Sequence, residues 1–189
     1  MAFKEKCKIV GWDDGPFKLE QDQQTPLIGV VMSGGRRVEG VLRNDVEVDG
    51  LDVTEKLINS VSESKHYQEL NLIALAGVSF AGFNVADISK VARETGLPVL
   101  AVTRNEPDLQ GFKSGLRNLP DFRRRWEAAR AAGEVHTHKL QNHRVYFQTA
   151  SLALEDAKRV LEVTSSASIL PEPLRLADMI ARAIVSGES

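Results

Sequence analysis

Two continuous apolar runs constrain the fold more strongly than any other feature of this sequence. They are LNLIALAGV at residues 70–78 and LPVLAVT at residues 97–103, and between them residues 84–96 are predicted as a helix that ends at Gly96. Strands that are apolar throughout are typical of parallel sheets, because crossover helices cover both faces of such sheets. The sequence therefore predicts a strand–helix–strand unit inside an α/β sheet.

Three further strands are predicted ahead of this unit, at residues 7–12, 25–35 and 36–48. The second and third are expected to form a hairpin that turns at Gly34-Gly35. An antiparallel trio joined to a parallel extension by helical crossovers is the arrangement of ribonuclease H-like domains. We therefore expect a mixed α/β sheet of that kind, with its first three strands antiparallel and with helices on both faces.

The other segments are assigned from their capping residues and apolar spacing. A helix at residues 52–61 is predicted to begin at Asp52, with Glu55 completing a capping box. The later elements are predicted helices at residues 107–116, 120–133, 154–165 and 171–185, and a strand pair at residues 134–150. No internal repeat or linker interrupts the chain, so we expect one domain over residues 1–189.

Composition and cysteine content exclude several classes of protein. The net charge of -2, with 42% hydrophobic and 26% charged residues, is ordinary for a globular chain. Cys7 is the only cysteine, which excludes an intrachain disulfide and a zinc site of several thiolates. The first residues lack the apolar core of a signal peptide, and the apolar stretch at residues 72–83 is too short to cross a bilayer. These features predict a cytoplasmic protein without a membrane segment.

Charge is unevenly distributed along the chain. Residues 1–55 hold 7 Lys and Arg against 11 Asp and Glu, whereas residues 104–144 hold 9 against 5. An acidic and a basic segment in one domain would suit a metal site beside a phosphate-binding surface, and two solvated faces are an equally good explanation.

Two adjacent carboxylates, Asp13 and Asp14, follow the first predicted strand in GWDDGPF. Strand ends in α/β sheets commonly bind ligands, and a divalent cation would relieve the repulsion between the two charges. Because successive strand residues point to opposite faces, we expect only one of the pair to face a given site if the strand extends that far. An ordinary turn is the alternative, since Asp-Gly-Pro is common in turns.

Three more acids lie near predicted helix starts. Asp49 suits a turn or a metal ligand, and Asp52, taken alone, suits a helix N-cap better than a ligand. Asp87 is predicted in the first turn of its helix, three residues after an Asn84 cap, where the helix dipole stabilises a carboxylate. Together with the pair in GWDDGPF, these acids could converge on two Mg²⁺ or Mn²⁺ ions and activate water for phosphodiester hydrolysis.

Two other clusters have a functional and a structural interpretation. His136 and His138 alternate along a predicted strand and could bind zinc, although surface histidines are commoner. The three arginines at residues 123–125 with Trp126 could bind phosphate and stack on a base, but a solvated helix face is commoner. The sequence contains no nucleophile elbow, Gly-rich phosphate loop or dinucleotide fingerprint, so common nucleotide cofactors are not supported.

Five segments resemble one known family. GWDDGPF, VDGLDVT, AGFNVADI, ILPEPLRLADMIARAI and the closing GES resemble the archaeal endonuclease dU family, a former domain of unknown function, across nearly the whole chain. That family is similar to endonuclease V, a ribonuclease H-like nuclease that uses Mg²⁺ and cuts near deaminated bases. The resemblance implies the same fold here, and a DNA-repair endonuclease that uses Mg²⁺ or Mn²⁺ to cut DNA containing deoxyuridine. RNA stays open as a second substrate.

The resemblance also implies roles for particular residues. The Gly-x-Asp that ends the first strand of endonuclease V matches GWD, which makes Asp13 the first metal ligand and Asp14 an adjacent acid outside the matched motif. Arg104 lies where endonuclease V carries a lysine near the scissile phosphate. LPEPLRLAD resembles the last motif of endonuclease V, which implies that Arg175 and Asp178 lie near the active site. Ordinary helix ion pairs are the alternative for Asp178, because Arg175 lies three residues before it and Arg182 four residues after it.

Two departures from endonuclease V affect the expected chemistry. Its fourth strand ends in Val-Asp-Gly, but the matching residues here are Leu75-Ala76-Gly77, and alanine cannot bind a metal. Its Tyr-containing lesion wedge is replaced by LRNDVEVDGLD, so base recognition must differ. The acids that we expect to form the metal site are Asp13, Asp14, Asp49 and Asp52. Asp87 is a further candidate, and Arg104 would stabilise the phosphate. Ala76 favours the alternative of a non-catalytic nucleic-acid-binding protein with the same fold.

Overall fold

The computed structural model describes residues 7–140, 143–165 and 168–189. The strands within those residues are β1 (Lys8–Asp14), β2 (Gln24–Ser33), β3 (Arg37–Glu47), β4 (Leu70–Leu75), β5 (Ser79–Phe80), β6 (Asn84–Val85), β7 (Val99–Thr103), β8 (His136–Leu140) and β9 (His143–Ala150). The α-helices are α1 (Val53–Ser62), α2 (Ile88–Thr95), α3 (Leu109–Leu116), α4 (Phe122–Ala131), α5 (Leu154–Thr164) and α6 (Glu172–Ser186).

Seven of these strands form one mixed sheet in the order β3-β2-β1-β4-β7-β9-β8. β2 is antiparallel to its two neighbours β1 and β3, whereas β4 and β7 extend the sheet parallel to β1. The register places Trp12 of β1 opposite Leu75 of β4, and Asp13 opposite Ile28 of β2. The predicted ribonuclease H-like mixed sheet, with its antiparallel first trio, is confirmed.

Helices cover both faces of the sheet, as predicted. On one face α1 and α2 pack against a core that includes Val10 and Trp12 of β1. On the other face α5 and α6 cover Ile9 and Leu72 and the neighbouring strands. Burial on both faces explains why the central strands are apolar throughout. Among the residues that the structure describes, no helix is long and apolar enough to cross a membrane.

The starts of α1 and α2 correct two capping predictions. α2 begins at Ile88 rather than at residue 84, because Asp87 itself is the N-cap and accepts a 2.9 Å hydrogen bond from the N–H three residues later. Asn84 lies in β6, where its Oδ1 accepts the Val53 N–H at the start of α1. The side chain of Asp52 makes no capping hydrogen bond, so the predicted capping box does not form. Asn84 caps α1 in its place.

Two strand predictions differ in detail. β1 continues to Asp14, beyond the predicted end at residue 12, because its pairing with β2 extends to Leu27. The predicted strand pair at residues 134–150 is present as β8 and β9, and its connection at residues 141–142 lies outside the described residues. Both aspartates of GWDDGPF therefore belong to the strand.

α6 lies close to β1 because Gly11 has no side chain. A Cβ on Gly11 would lie 2.7 Å from the carbonyl carbon of Pro173 and 2.8 Å from the backbone nitrogen of Leu174. Gly11 and Asp13 are two positions apart and therefore point to the same face of the strand. The close contact thus sets the position of α6 relative to Asp13.

We expect Gly11→Ala to lower the free energy of unfolding by about 1–3 kcal/mol, because the added methyl group would push the backbone of α6 away from β1. Urea denaturation measures this change. Gly40→Ala in β3 is the matched control, since its Cβ would come closest to the ring of His66, the end of a side chain that can turn away. Equal stabilities of the two variants would contradict the prediction.

Candidate active site

A cavity of about 430 Å³ opens at the carboxyl ends of β1, β4 and β7. Because these strands are parallel, their ends meet at one edge of the sheet, where α/β proteins commonly bind ligands. α6 lines one side of the cavity. The polar side chains of the lining are Asp13, Asp14, Thr103, Arg104, Arg175, Asp178 and Arg182.

Asp13 and Asp14 both line this cavity, and the expectation that only one of them would face a site is wrong. Asp13 points to the α6 face of β1, with Gly11, and Asp14 points to the opposite face, with Trp12. The strand ends at Asp14 and the cavity opens around that end. Side chains from both faces can therefore reach it.

Backbone N–H groups hold both carboxylates, yet their environment disfavours the charged forms. Asp13 Oδ1 accepts a 3.0 Å hydrogen bond from the Asp14 N–H, and Asp14 Oδ2 accepts a 2.9 Å hydrogen bond from the Ala81 N–H. Burial, reinforced by the charges of Asp14 and Asp178, raises the pKa of Asp13 to about 8. Burial also raises the pKa of Asp14. The site therefore holds two acids whose negative charges are poorly compensated.

Three arginines bring positive charge to the same cavity. Arg175 forms a 2.5 Å ion pair with Glu172, and Arg182 forms a 2.6 Å ion pair with Asp178. The ordinary helix ion pair considered for Asp178 is thus present, and Asp178 also lines the cavity. Arg104, at the end of β7, is exposed and has no ion pair within the described segments. Arg104 is therefore the arginine best placed to bind an external anion.

Three acids named from the sequence do not line this cavity. Asp52 Oδ1 accepts a 2.6 Å hydrogen bond from Asn84 Nδ2, and Asp87 caps α2. Asp49 follows β3, and its Oδ1 accepts a 2.8 Å hydrogen bond from the Phe83 N–H. The structure brings Asp13 and Asp14 together with Arg104, Arg175 and Asp178, but it places the other three acids in contacts with the backbone and with Asn84.

The histidine and arginine clusters have structural contacts. His138 Nε2 lies 3.1 Å from Glu162 Oε1 on α5. Within the three arginines only Arg125 is buried, with 3% of its surface exposed, and the Lys113 ammonium lies over the Trp126 ring at 4.9 Å. This part of α4 is therefore not a uniform phosphate-binding face.

Sequence reasoning missed Phe17 and Thr103 and treated Arg182 only as an ion-pair partner, although all three line the cavity. Signals for them were present. Phe17 closes the motif GWDDGPF, Thr103 directly precedes Arg104, and Arg182 lies one helical turn after Asp178.

The carboxylates of this cavity suit a cation that takes few ligands from the protein. In the parts of the chain that the structure describes, no three His, Cys, Asp or Glu side chains form a group that could hold a metal ion. Mg²⁺ commonly binds one or two carboxylates and fills its remaining positions with waters and substrate phosphates. Asp13 and Asp14 are two carboxylates of this kind in one cavity. They do not match a preformed cage of four carboxylates.

A family model and several known proteins match this chain over nearly its whole length. Residues 5–185 match a family model described as endonuclease dU. A relative from Thermococcus gammatolerans, named UPF0215 protein, is 44% identical over 98% of this chain and 96% of its own length. A solved structure from Archaeoglobus fulgidus, described as a protein of unknown function, has a TM-score of 0.87 at 37% identity, covering 96% of this chain and all of that one.

A more distant solved structure relates the fold to a nuclease. Endonuclease V of Ciona intestinalis, in complex with a 24-mer DNA containing an inosine followed by a ribo-adenosine, has a TM-score of 0.64. The match covers 96% of this chain and 87% of that protein at 13% identity. At this identity the similarity shows a shared fold and no more.

Without divalent cations, the protein is expected to lose stability as the pH rises from about 4 to about 8. The unfolded chain releases the Asp13 proton near pH 4, whereas the folded protein holds it until about pH 8. Asp13→Asn removes this ionisation. In EDTA the variant should therefore have a higher melting temperature than the wild type at pH 9, and the difference should be smaller at pH 5. Thermal unfolding followed by circular dichroism measures both.

Asp22→Asn is the control for that experiment, because Asp22 lies in an exposed loop where an amide oxygen can still accept the Lys18 N–H. Its melting temperature should stay close to the wild-type value at both pH values. A difference between Asp13→Asn and wild type that does not change with pH would contradict the prediction.

Proposed function

This chain belongs to the endonuclease dU family, and we propose that it is a metal-dependent endonuclease that hydrolyses phosphodiester bonds in DNA containing deaminated bases such as deoxyuridine. The family and the endonuclease V-like fold support a nuclease role. The observation that carries the finer proposal is the pair Asp13 and Asp14 in one cavity with Arg104. Carboxylates for a cation beside an arginine for a phosphate are what this hydrolysis needs.

In this proposal each residue of the cavity has a separate task. Asp13 and Asp14 would hold Mg²⁺ or Mn²⁺ through their carboxylates, which requires Asp13 to release its proton. When bound, the cation supplies activation of water and stabilises charge on the leaving oxygen. Arg104 holds a non-bridging oxygen of the scissile phosphate, which orients the bond for attack by water.

The basic segment at residues 104–144 would bind the rest of the nucleic acid. Its side chains Arg117, Arg124 and Arg130 are exposed on and after α3 and on α4. Contacts of this kind to phosphates are independent of sequence and weaken as salt is added. The segment would thus provide affinity, while the cavity provides the chemistry.

Phe17 provides an aromatic surface for a base in the same cavity. Its loop is held by the Gly15 N–H, which donates to Pro26 O at 2.8 Å, and by Thr25 Oγ1, which donates to Gly15 O at 2.9 Å. Stacking of a base on an aromatic ring contributes about 1–3 kcal/mol. A deaminated base is mispaired and leaves the duplex at lower cost, which supports a substrate of that class.

We expect the wild-type protein to cut a duplex oligonucleotide carrying one deoxyuridine when Mg²⁺ or Mn²⁺ is present, and not in EDTA. Asp13→Asn should reduce the rate at least about 100-fold, because one carboxylate alone holds the cation weakly. Gel analysis of end-labelled strands measures cleavage. Undamaged, inosine-containing and RNA oligonucleotides of the same sequence test the choice of substrate, and Asp22→Asn is the control variant.

Two results would reject this function. One is the absence of metal-dependent cleavage of every oligonucleotide in the set, and the other is full cleavage by Asp13→Asn. Cleavage of inosine-containing DNA or of RNA in preference to deoxyuridine would retain the nuclease and reject the proposed substrate.

Ala76 favours a second candidate function, nucleic-acid binding without cleavage. It lines the cavity at the end of β4, and its N–H donates to Trp12 O at 3.0 Å, which places it beside β1. The resemblance to endonuclease V puts a metal carboxylate at this position, and the methyl group of alanine cannot replace it. Salt-sensitive DNA binding that survives EDTA and never leads to cleavage would select this function.

Ala76→Asp is expected to raise the affinity for Mn²⁺ about tenfold, because a third carboxylate would join Asp13 and Asp14 in the cavity. Titration calorimetry measures the affinity. Ala76→Asn is the matched control, since it adds nearly the same volume without the charge. Equal Mn²⁺ affinities of the Asp and Asn variants would contradict a cation site at this edge of the sheet.

A further inference from the structure

Two strained turns meet directly beside the cavity. Asp49 follows β3 with φ +52°, and Ala81 follows β5 with φ +42°. A residue with a Cβ adopts this left-handed conformation at a cost of about 1–2 kcal/mol, so surrounding contacts must hold both turns in place. Gly82 comes next with φ +85°, and a Cβ there would lie 2.4 Å from Asp49 Oδ1. The Asp49 carboxylate therefore occupies the space that a side chain at residue 82 would need.

Asp49 holds the second turn from both ends. Its backbone N–H donates to Ala81 O at 2.8 Å, and its Oδ1 accepts the Phe83 N–H at 2.8 Å. These two hydrogen bonds bracket Gly82. The carboxylate of Asp49 is thus used by the backbone of the turn.

The turn at residues 81–83 in turn fixes the side chain of Asp14. The Ala81 N–H donates to Asp14 Oδ2 at 2.9 Å, and it is the backbone donor that fixes that oxygen. Asp49 and Asp14 are therefore connected through one residue, because Ala81 accepts from Asp49 with its carbonyl and donates to Asp14 with its N–H.

Arg125 also holds the two turns together. Its Nη2 donates to Asp49 O at 2.7 Å, and its Nη1 donates to Gly50 O at 2.7 Å and to Phe83 O at 2.8 Å. Its Nε donates to Pro120 O at 3.1 Å. A guanidinium with 3% exposure that binds four carbonyl oxygens stays in a single position, because any displacement leaves buried polar groups without partners.

We propose that Asp49 and Arg125 are positioning residues, which clamp the turn at residues 81–83 so that the Ala81 N–H holds the Asp14 carboxylate in the cavity. This inference rests on the proposed function in one respect, the role of Asp14 as a cation ligand. In this role Asp49 needs an oxygen that accepts the Phe83 N–H, and it does not need a negative charge. Asparagine should therefore replace Asp49, whereas it cannot replace a ligand such as Asp13.

The test compares Asp49→Asn with Asp49→Ala in the full chain. Asparagine keeps the oxygen that accepts the Phe83 N–H, so Mn²⁺ affinity should stay within about threefold of wild type. Alanine removes the acceptor, and the affinity should fall about 10- to 100-fold, as is typical when the group that orients a ligand is lost. Titration calorimetry on the folded protein measures both, and the cleavage rate with deoxyuridine DNA should follow the same order.

Hydrogen exchange of the Ala81 amide provides a readout that needs neither metal nor activity. Its protection should be kept in Asp49→Asn and reduced at least about tenfold in Asp49→Ala, since the freed turn opens. Arg125→Lys should reduce it as well, because one ammonium cannot replace a planar guanidinium at several carbonyls. Arg124→Lys, the exposed neighbour, is the control and should leave the protection unchanged.

Three results would overturn the clamp. Asp49→Asn could lose Mn²⁺ as severely as Asp13→Asn, which would make Asp49 a ligand. Asp49→Ala could keep wild-type Mn²⁺ affinity with only a lower melting temperature, which would limit Asp49 to stability. Full protection of the Ala81 amide in both Asp49→Ala and Arg125→Lys would refute the mechanical link. Failure of the wild type to bind Mn²⁺ or cut DNA, with the amide results as expected, would reject the proposed function and leave the clamp.

Discussion

The parallel pairing of β1 with β4, and of β4 with β7, is the constraint on which the rest of the structure depends. Parallel strands end at the same edge, so this pairing brings Asp13, Ala76 and Arg104 to one cavity although they are distant in the sequence. Parallel pairing also requires helices on both faces, which makes the central strands apolar throughout. The hydrophobic pattern that selects the fold thus also selects where polar chemistry can be placed.

Two carboxylates at this edge lower the stability of the protein. Burial raises the pKa of Asp13 to about 8, so the folded protein binds a proton that the unfolded chain would release at neutral pH. Arg182 offsets part of the negative charge through its 2.6 Å ion pair with Asp178. The Ala81 N–H offsets part of it at Asp14. The remaining repulsion between the carboxylates would be relieved by a cation bound at this edge.

The sheet and the cavity differ in how far sequence alone predicts them. Strand directions and the helices on both faces follow from local hydrophobic patterns, such as the run at residues 70–78. The position of α6 depends on one close contact at Gly11, which no local pattern reveals. An acid near a strand end has the same local signal whether it binds a cation or the backbone. Asp49 and Asp52 are distinguished by contacts with Phe83 and Asn84, which lie 34 and 32 residues away in the chain.

Ala76 and the two aspartates are best understood together. A third buried carboxylate at residue 76 would raise the pKa of Asp13 still further and lower the stability of the cation-free protein. With alanine there, the protein contributes two carboxylates, and on the proposed function the substrate phosphate contributes the remaining negative charge. Cation and nucleic acid then strengthen each other's binding by the same factor, because coupling between two sites is reciprocal. In such a site the metal is held more firmly when a phosphate is present than in the free protein.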